Sequence, residues 1–191
     1  MSNLKKMMEQ YCPNGTEYKR LGDICEIKTG SCLTKKDIEK DGKYFIISGG
    51  VSPLGVCNQY NREGNTVTVS RAGSAGYVNF IETEFWLNDK CFSVIPLSED
   101  ISPKYLYYVL KNKEKEIMEM KSTGSIPTIN TQKLSMVEVP VLPLVVQIEI
   151  VRILDKFTEL QAELQAELQA REKEYMYFRN KLLDVPRISF L

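Results

Sequence analysis

Two rhythms of apolar and polar positions divide the chain. Before residue 140 the apolar residues come in short runs bounded by Gly, Pro, Asn and Asp; after it they recur in alternating steps of four and three. Ile150, Leu154, Phe157, Gln161, Leu164, Leu168, Arg171, Tyr175, Phe178 and Leu182 keep the second rhythm, a heptad seam with polar interruptions at Gln161 and Arg171. Three copies of Glu-Leu-Gln-Ala fill Glu159 to Ala170 without a Gly, Pro or β-branched residue, so the pattern predicts one helix from Pro140 to Leu183. About 44 residues of helix would measure roughly 65 Å at about 1.5 Å per residue. A rod longer than a small domain is wide cannot bury its seam against its own domain. It calls for a partner.

The first rhythm predicts a mixed fold. Residues 1–16 read as a short amphipathic segment closed by the turn Pro13-Asn14-Gly15. Glu17 to Gly30 reads as a helical turn and then a strand, and Thr34 to Ile38 as a short helix or loop. Tyr44 to Ser48 is a buried strand closed by Gly49-Gly50, and a β meander follows with strands at Thr66–Ser70, Tyr77–Ile81 and Cys91–Pro96. Ser102-Pro103 opens a helix whose Leu106, Val109, Leu110, Ile117 and Met120 share one side, with Lys113 to Glu116 on its wet face. The expected class is α+β, a β-rich globular domain over 1–140, a long C-terminal coiled-coil helix over 141–184 and a tail over 185–191.

Charge changes little. The chain carries 25 basic and 25 acidic residues, and residues 1–140 hold 18 and 17 of them, so a nucleic-acid partner would require clustering on one surface. The cysteines are Cys12, Cys25, Cys32, Cys57 and Cys91; an odd number without a Cys-x-x-Cys pair, and no histidine anywhere, argue against a zinc site and a disulfide framework. The missing histidine also removes the commonest general base. No apolar leader or run near membrane length is present, and the expected setting is the cytoplasm with reduced thiols.

Three loops carry candidate chemistry. Arg71-Ala72-Gly73-Ser74-Ala75-Gly76 is glycine-rich, but a nucleotide loop needs a helix after the turn and here Tyr77 to Ile81 reads as strand. It fits either a β-turn presenting Arg71 and Ser74 to a phosphate or base edge, or a merely structural turn. Lys121-Ser122-Thr123-Gly124-Ser125 is hydroxyl-rich with one cation and suits a phosphate equally well as a solvated helix-ending loop capped at Gly124. Lys28-Thr29-Gly30-Ser31 with Lys35 and Lys36 is similar in character. Phe85 and Trp86 read as core rather than a base-stacking platform.

The order of these motifs resembles that of specificity subunits of Type I restriction-modification systems. The resemblance rests on Glu17 to Ile24 with Ile27 to Gly30, Ser70 to Val78, Asn88-Asp89 and Ser122 to Pro127. It continues through Leu134 and Val139 to Leu144 with Gln147 and Ile150, and ends at Tyr175 to Leu183. It implies a target-recognition domain reading one half of a bipartite double-stranded DNA site, followed by a spacer helix that docks the methyltransferase (modification) subunits and, through them, the restriction subunit. It implies no catalysis and no cofactor in this chain, the catalytic residues lying in partner subunits. Candidate DNA contacts are Lys28, Ser31, Lys35, Arg71, Ser74, Lys90, Lys121, Thr123 and Ser125. Such subunits usually carry two recognition domains and two helices; this chain has one of each, which implies a half-length form pairing with a second copy through antiparallel helices.

The resemblance gives the repeat a mechanical reading. Four helical residues add about 6 Å and overshoot a turn by roughly 40°, and duplex DNA advances about 3.4 Å per base pair. One Glu-Leu-Gln-Ala unit therefore corresponds to one or two base pairs of spacing between half-sites; the alternative is a slipped repeat tolerated because its residues suit any helix. Two other function classes stand beside DNA recognition. One is a coiled-coil scaffold whose globular head binds protein. The other is a stand-alone methyltransferase, which the chain opposes by lacking an Asn-Pro-Pro-Tyr or Asp-Pro-Pro-Tyr quartet and a glycine-rich strand-to-helix turn.

Overall fold

The computed structural model describes residues 2–33, 35–124 and 127–184. The chain divides into two compact units, Met1–Val151 and Arg152–Leu191.

In the first unit, α1 (Ser2–Tyr11) turns at Gly15, whose φ of +93° suits a residue without a Cβ. The next stretch differs from the expected helical turn and strand: it contains β1 (Glu17–Arg20), then α2 (Leu21–Ile24), then β2 (Cys25–Thr29). β1 pairs antiparallel with β9 (Glu138–Val141), matching Glu17 to Val141 and Arg20 to Glu138, so the two ends of the unit are joined by a ribbon. Local periodicity could not reveal this pairing, because its partner lies some 120 residues away and contains Pro140.

The core is a four-stranded sheet in the order β2-β8-β5-β6, with β5 (Thr66–Ser70), β6 (Val78–Ile81) and β8 (Cys91–Pro96). A second sheet orders β4 (Gly55–Cys57), β3 (Tyr44–Ile47) and β7 (Phe85–Leu87), with β3 and β7 parallel. β7 was not expected as a strand; at three residues it is too short for alternation to show. Phe85 is fully buried, in line with its core reading. Val67, Val69, Phe92 and Val94 face Leu106, Leu110 and Ile117 in one hydrophobic cluster. Burial pushes the Cys25 thiol up to about 12 and the Cys91 thiol to about 11, and the described cysteines are free.

The helix expected from Lys104 to Met120 is two: α3 (Pro103–Asn112), capped by Ser102, and α4 (Glu114–Glu119). They break at Lys113, with φ −92° and ψ 7°. Glu114 explains the break. Its Oε2 accepts the Val78 backbone N–H at 2.8 Å and the Lys111 ammonium at 2.6 Å, anchoring the second segment to the start of β6 while Ile117 stays in the core. The following α5 (Thr131–Ser135) is capped by Asn130.

The long helix, α6 (Leu144–Leu183), spans 40 residues and starts at Leu144 because residues up to Val141 complete β9; the Pro143 carbonyl then accepts the first helical N–H groups. In the first unit its opening turns pack Val146, Ile150 and Val151 against Tyr105, Leu142 and residues of α1. Tyr105 donates its phenol to the Pro140 carbonyl at 2.9 Å, and burial pushes that phenol up to about 12. Gln147 is fully buried with every side-chain polar atom used. Its Oε1 accepts the Ser102 N–H at 2.9 Å, and its Nε2 donates to Asp100 O at 2.8 Å and Leu142 O at 2.7 Å.

The second unit is the remainder of that helix. From Lys156 to Asp184 every side chain is exposed, including Phe157, Leu164, Leu168, Tyr175, Phe178 and Leu182 of the seam. Gln161 is exposed, and Arg171 pairs with Glu174 at 3.2 Å along its own helix. Ile150 differs from these: it is half-buried in the first unit's own apolar cluster. None of the helices among the described residues is long and apolar enough to cross a membrane.

Candidate nucleic-acid interface

Antiparallel and parallel strand directions bring four loops to one end of the first unit, and the segment before α5 joins them as a fifth. β2 and β5 finish there, β6 and β8 begin there, and β3 and β7 finish beside them. Backbone hydrogen bonds knit the loops together. The Lys90 carbonyl accepts the Arg71 N–H at 2.8 Å and the Ala72 N–H at 3.3 Å; the Gly49 carbonyl accepts the Ser74 N–H at 2.7 Å. Arg71 O accepts Ile129 N–H at 2.9 Å, and Ala72 bridges Thr128. On the β2 side, Gly30 N–H donates to Cys91 O at 3.2 Å and Ser31 N–H to Leu87 O at 2.9 Å.

Glycine permits this proximity at two positions. Gly73 has φ +82°, and a Cβ there would also meet the Gly49 carbonyl oxygen at 2.7 Å. A Cβ on Gly49 would in turn collide with the Ala72 carbonyl oxygen. The turn at 71–76 leads into strand β6 and is backed by Met118 of α4, which excludes the helix-terminus geometry of a nucleotide loop.

The predicted residues fall on this end unevenly. Arg71 and Lys90 are exposed and Lys121 half-exposed, and none has an acidic partner among the described residues. Several lysines elsewhere are paired, among them Lys104 with Glu82, Lys111 with Glu114 and Lys113 with Glu116. Ser74 lies beside Gly49 in the same cluster. Thr123 sits exposed in the loop that Ser122 and Thr128 close, with Thr128 N–H donating to Ser122 Oγ at 3.1 Å. Gly124 is not a helix cap, since α4 already ends at Glu119 with Met120 as its cap. Ser31 is exposed and held by the Trp86 indole, which donates to its carbonyl at 2.9 Å. Lys28 pairs with Glu26 at 2.8 Å and lines a groove with Asn65 and Pro96, at the opposite ends of β5 and β8. The side chain of Lys35 and all of Ser125 lie outside the described residues.

Three contributors were not among the predicted site residues, although Asp89 belongs to a motif of the resemblance. Arg62 is half-buried and structural: its guanidinium donates to Ser93 Oγ at 2.8 Å, Asn61 O at 2.7 Å and Thr29 O at 2.9 Å, holding β2 where it enters the Gly30 turn. Desolvation lowers its pKa, with the Glu26 charge opposing. Asp89, between Asn88 and Lys90, has its Oδ1 buried with no hydrogen-bond partner among the described residues. Leaving an acceptor unmet costs roughly 1–3 kcal/mol. Finally, Val51 and Leu54, in the loop after β3, are 58% and 54% exposed.

A surface of unpaired cations and hydroxyls on rigidly joined loops suits an anionic, groove-bearing ligand. The model of the Type I restriction modification DNA specificity domain matches residues 13–171. The chain belongs to this family. It is 30% identical over 169 residues to a Mycoplasma pneumoniae protein described as a type I specificity subunit, covering 86% of this chain and 46% of that one. Against the specificity subunit of the Escherichia coli type I restriction enzyme EcoR124I/EcoR124II it is 35% identical over 107 residues, 53% of this chain and 26% of that one. The crystal structure of the S subunit of a Type I restriction-modification system from M. genitalium superposes with a TM-score of 0.73 at 25% identity, covering 89% of this chain and 47% of that one. The chain thus spans about half the length, or less, of the relatives it matches. The α+β architecture with its long C-terminal helix is the fold of these specificity subunits.

Proposed function

We propose that this chain recognises one half of a bipartite double-stranded DNA target as the specificity subunit of a Type I restriction-modification complex, without catalysing chemistry itself. One observation carries the reading: five loops hydrogen-bonded into one end of the fold gather Arg71, Lys90 and Lys121 without acidic partners. Those cations contact phosphates, while Ser31, Ser74 and Thr123 supply hydroxyls for phosphates or base edges.

The chain works in two parts, with 1–140 reading DNA and 141–184 acting as spacer and dimerisation helix. The exposed apolar seam from Phe157 to Leu182 is longer than a monomer ordinarily leaves open. A second copy, with its helix antiparallel, covers it and supplies the second half-site reader. The same helices dock the modification subunits, which carry the catalytic residues and bring in the restriction subunit. The complex acts in the cytoplasm, where the free thiols stay reduced.

Binding of duplex by the chain together with its modification subunit tests the reading. Affinity should fall linearly with salt on a log–log scale, and K90A should weaken binding across sequences and flatten that slope by about one. R71A should behave likewise, or relax sequence preference if Arg71 reaches a base. Unchanged affinity and slope in both variants, or no duplex binding at any salt, would favour a protein-binding scaffold instead.

A further inference from the structure

Beside the cations stands a patch that phosphate contacts leave unused. The loop from Ser48 to Leu54 leaves β3 at the DNA-facing end and returns when Leu54 N–H donates to Ile46 O at 2.8 Å. Its root is fixed inside the cluster described above, since the Gly49 carbonyl holds Ser74. Its middle lies over the neighbouring sheet: Val51 and Pro53 line a small cavity together with Ser70 and Tyr77, the residues on either side of the Arg71–Gly76 turn. Yet the Val51 and Leu54 side chains remain more than half exposed. Two aliphatic side chains in water, on a loop whose backbone is tied through Gly49 to Ser74 of the Arg71–Gly76 turn, are badly placed for a surface that only neutralises phosphate.

From this placement we propose that Val51 and Leu54 read thymine, by apolar contact with its C5-methyl group in the major groove. The inference rests on the DNA reading above and deepens it by naming specificity residues. The major groove presents that methyl as the one apolar mark that distinguishes thymine from the other bases. The flanking cations bring the loop against the groove, because Arg71 and Lys90 attract the phosphates bordering it. Polar residues at 51 and 54 would serve adenine, guanine or cytosine better, since each of these offers only hydrogen-bonding groups there. The loop is thus a specificity element in which aliphatic side chains select for one base, while Arg71, Lys90 and Lys121 hold register.

The test uses the full chain with its modification subunit and a duplex carrying the half-site defined by its methylated positions. Each thymine of the half-site is replaced singly by deoxyuridine, which removes only the methyl. The wild-type complex should lose about fourfold in affinity at one or two positions, the worth of burying one methyl group. V51A or L54A should abolish that discrimination, binding the thymine and deoxyuridine duplexes alike. Both residues are exposed, so either truncation should leave the thermal midpoint unchanged, and one folded variant is enough to decide. Equal losses in wild type and variants, no loss at any position, or a half-site without thymine would overturn the assignment while leaving DNA recognition standing. Failure of the wild-type complex to bind any duplex would remove both readings.

Discussion

Gln147→Glu should destabilise the first unit by about 4 kcal/mol at neutral pH, more than Gln147→Ala at about 3 kcal/mol. Alanine deletes the whole amide, whereas glutamate changes only its donor, and the faults they leave behind differ in kind. Alanine strands three buried backbone groups, Ser102 N–H, Asp100 O and Leu142 O, each now bonded at 2.7–2.9 Å. Glutamate keeps the shape and the acceptor for Ser102. It turns the donor of the other two bonds into a negatively charged oxygen facing two carbonyls, in a site with no exposure. The Gln147→Glu loss should shrink as pH falls, because the protonated acid regains a donor. Denaturant midpoints with unchanged slopes measure both effects. A Gln147→Glu variant within about 1 kcal/mol of the parent would mean that this amide does not fasten the first turn of α6 within the first unit.

The second large effect lies in the loop cluster. Gly49→Ala should cost about 3 kcal/mol, the upper range for overpacking, because the added methyl meets the Ala72 carbonyl oxygen, a backbone atom that cannot swing aside. The same change pushes apart the two loops that carry Val51 and Arg71, so duplex affinity should fall even where the variant stays folded. Gly124→Ala is the control: a Cβ there meets nothing within 4 Å, and its stability should match the parent. If both substitutions were equally mild, the close joining of these loops would not be what organises the surface.

These two sites show what was readable and what was not. The long helix was legible because its seam and three uninterrupted repeats are local, and its start was misplaced by a few residues because Pro140 belongs to a strand whose partner is Glu17 to Arg20. Thr66–Ser70, Tyr77–Ile81 and Cys91–Pro96 were legible from apolar runs; Phe85–Leu87 was not, being three residues long and parallel to β3. The break at Lys113 was hidden because the apolar spacing continues through it, and only the Glu114 bond to Val78 reveals why the helix bends. Within the candidate site, Arg71 and Ser74 were visible as a glycine-rich turn, and Lys90 and the Lys121 loop came with the resemblance and composition. Their convergence was invisible, since it rests on backbone bonds from residue 49 to 74 and from 71 to 90 and 129. Arg62 illustrates the converse: it looks like any other cation in the sequence, and three hydrogen bonds commit it to holding strands.

The reading of the whole chain as a DNA-measuring subunit meets its most direct test in the methylated positions of a host carrying it with its modification subunit. The comparison is between the native chain and a variant lacking Glu163 to Ala166, one repeat. The native chain should direct methylation to a bipartite motif. The variant should keep both half-site sequences and shorten the gap by one or two base pairs, since it removes about 6 Å of helix against about 3.4 Å per base pair. A motif that does not depend on the chain, or a spacing that stays the same in the variant, would contradict the account.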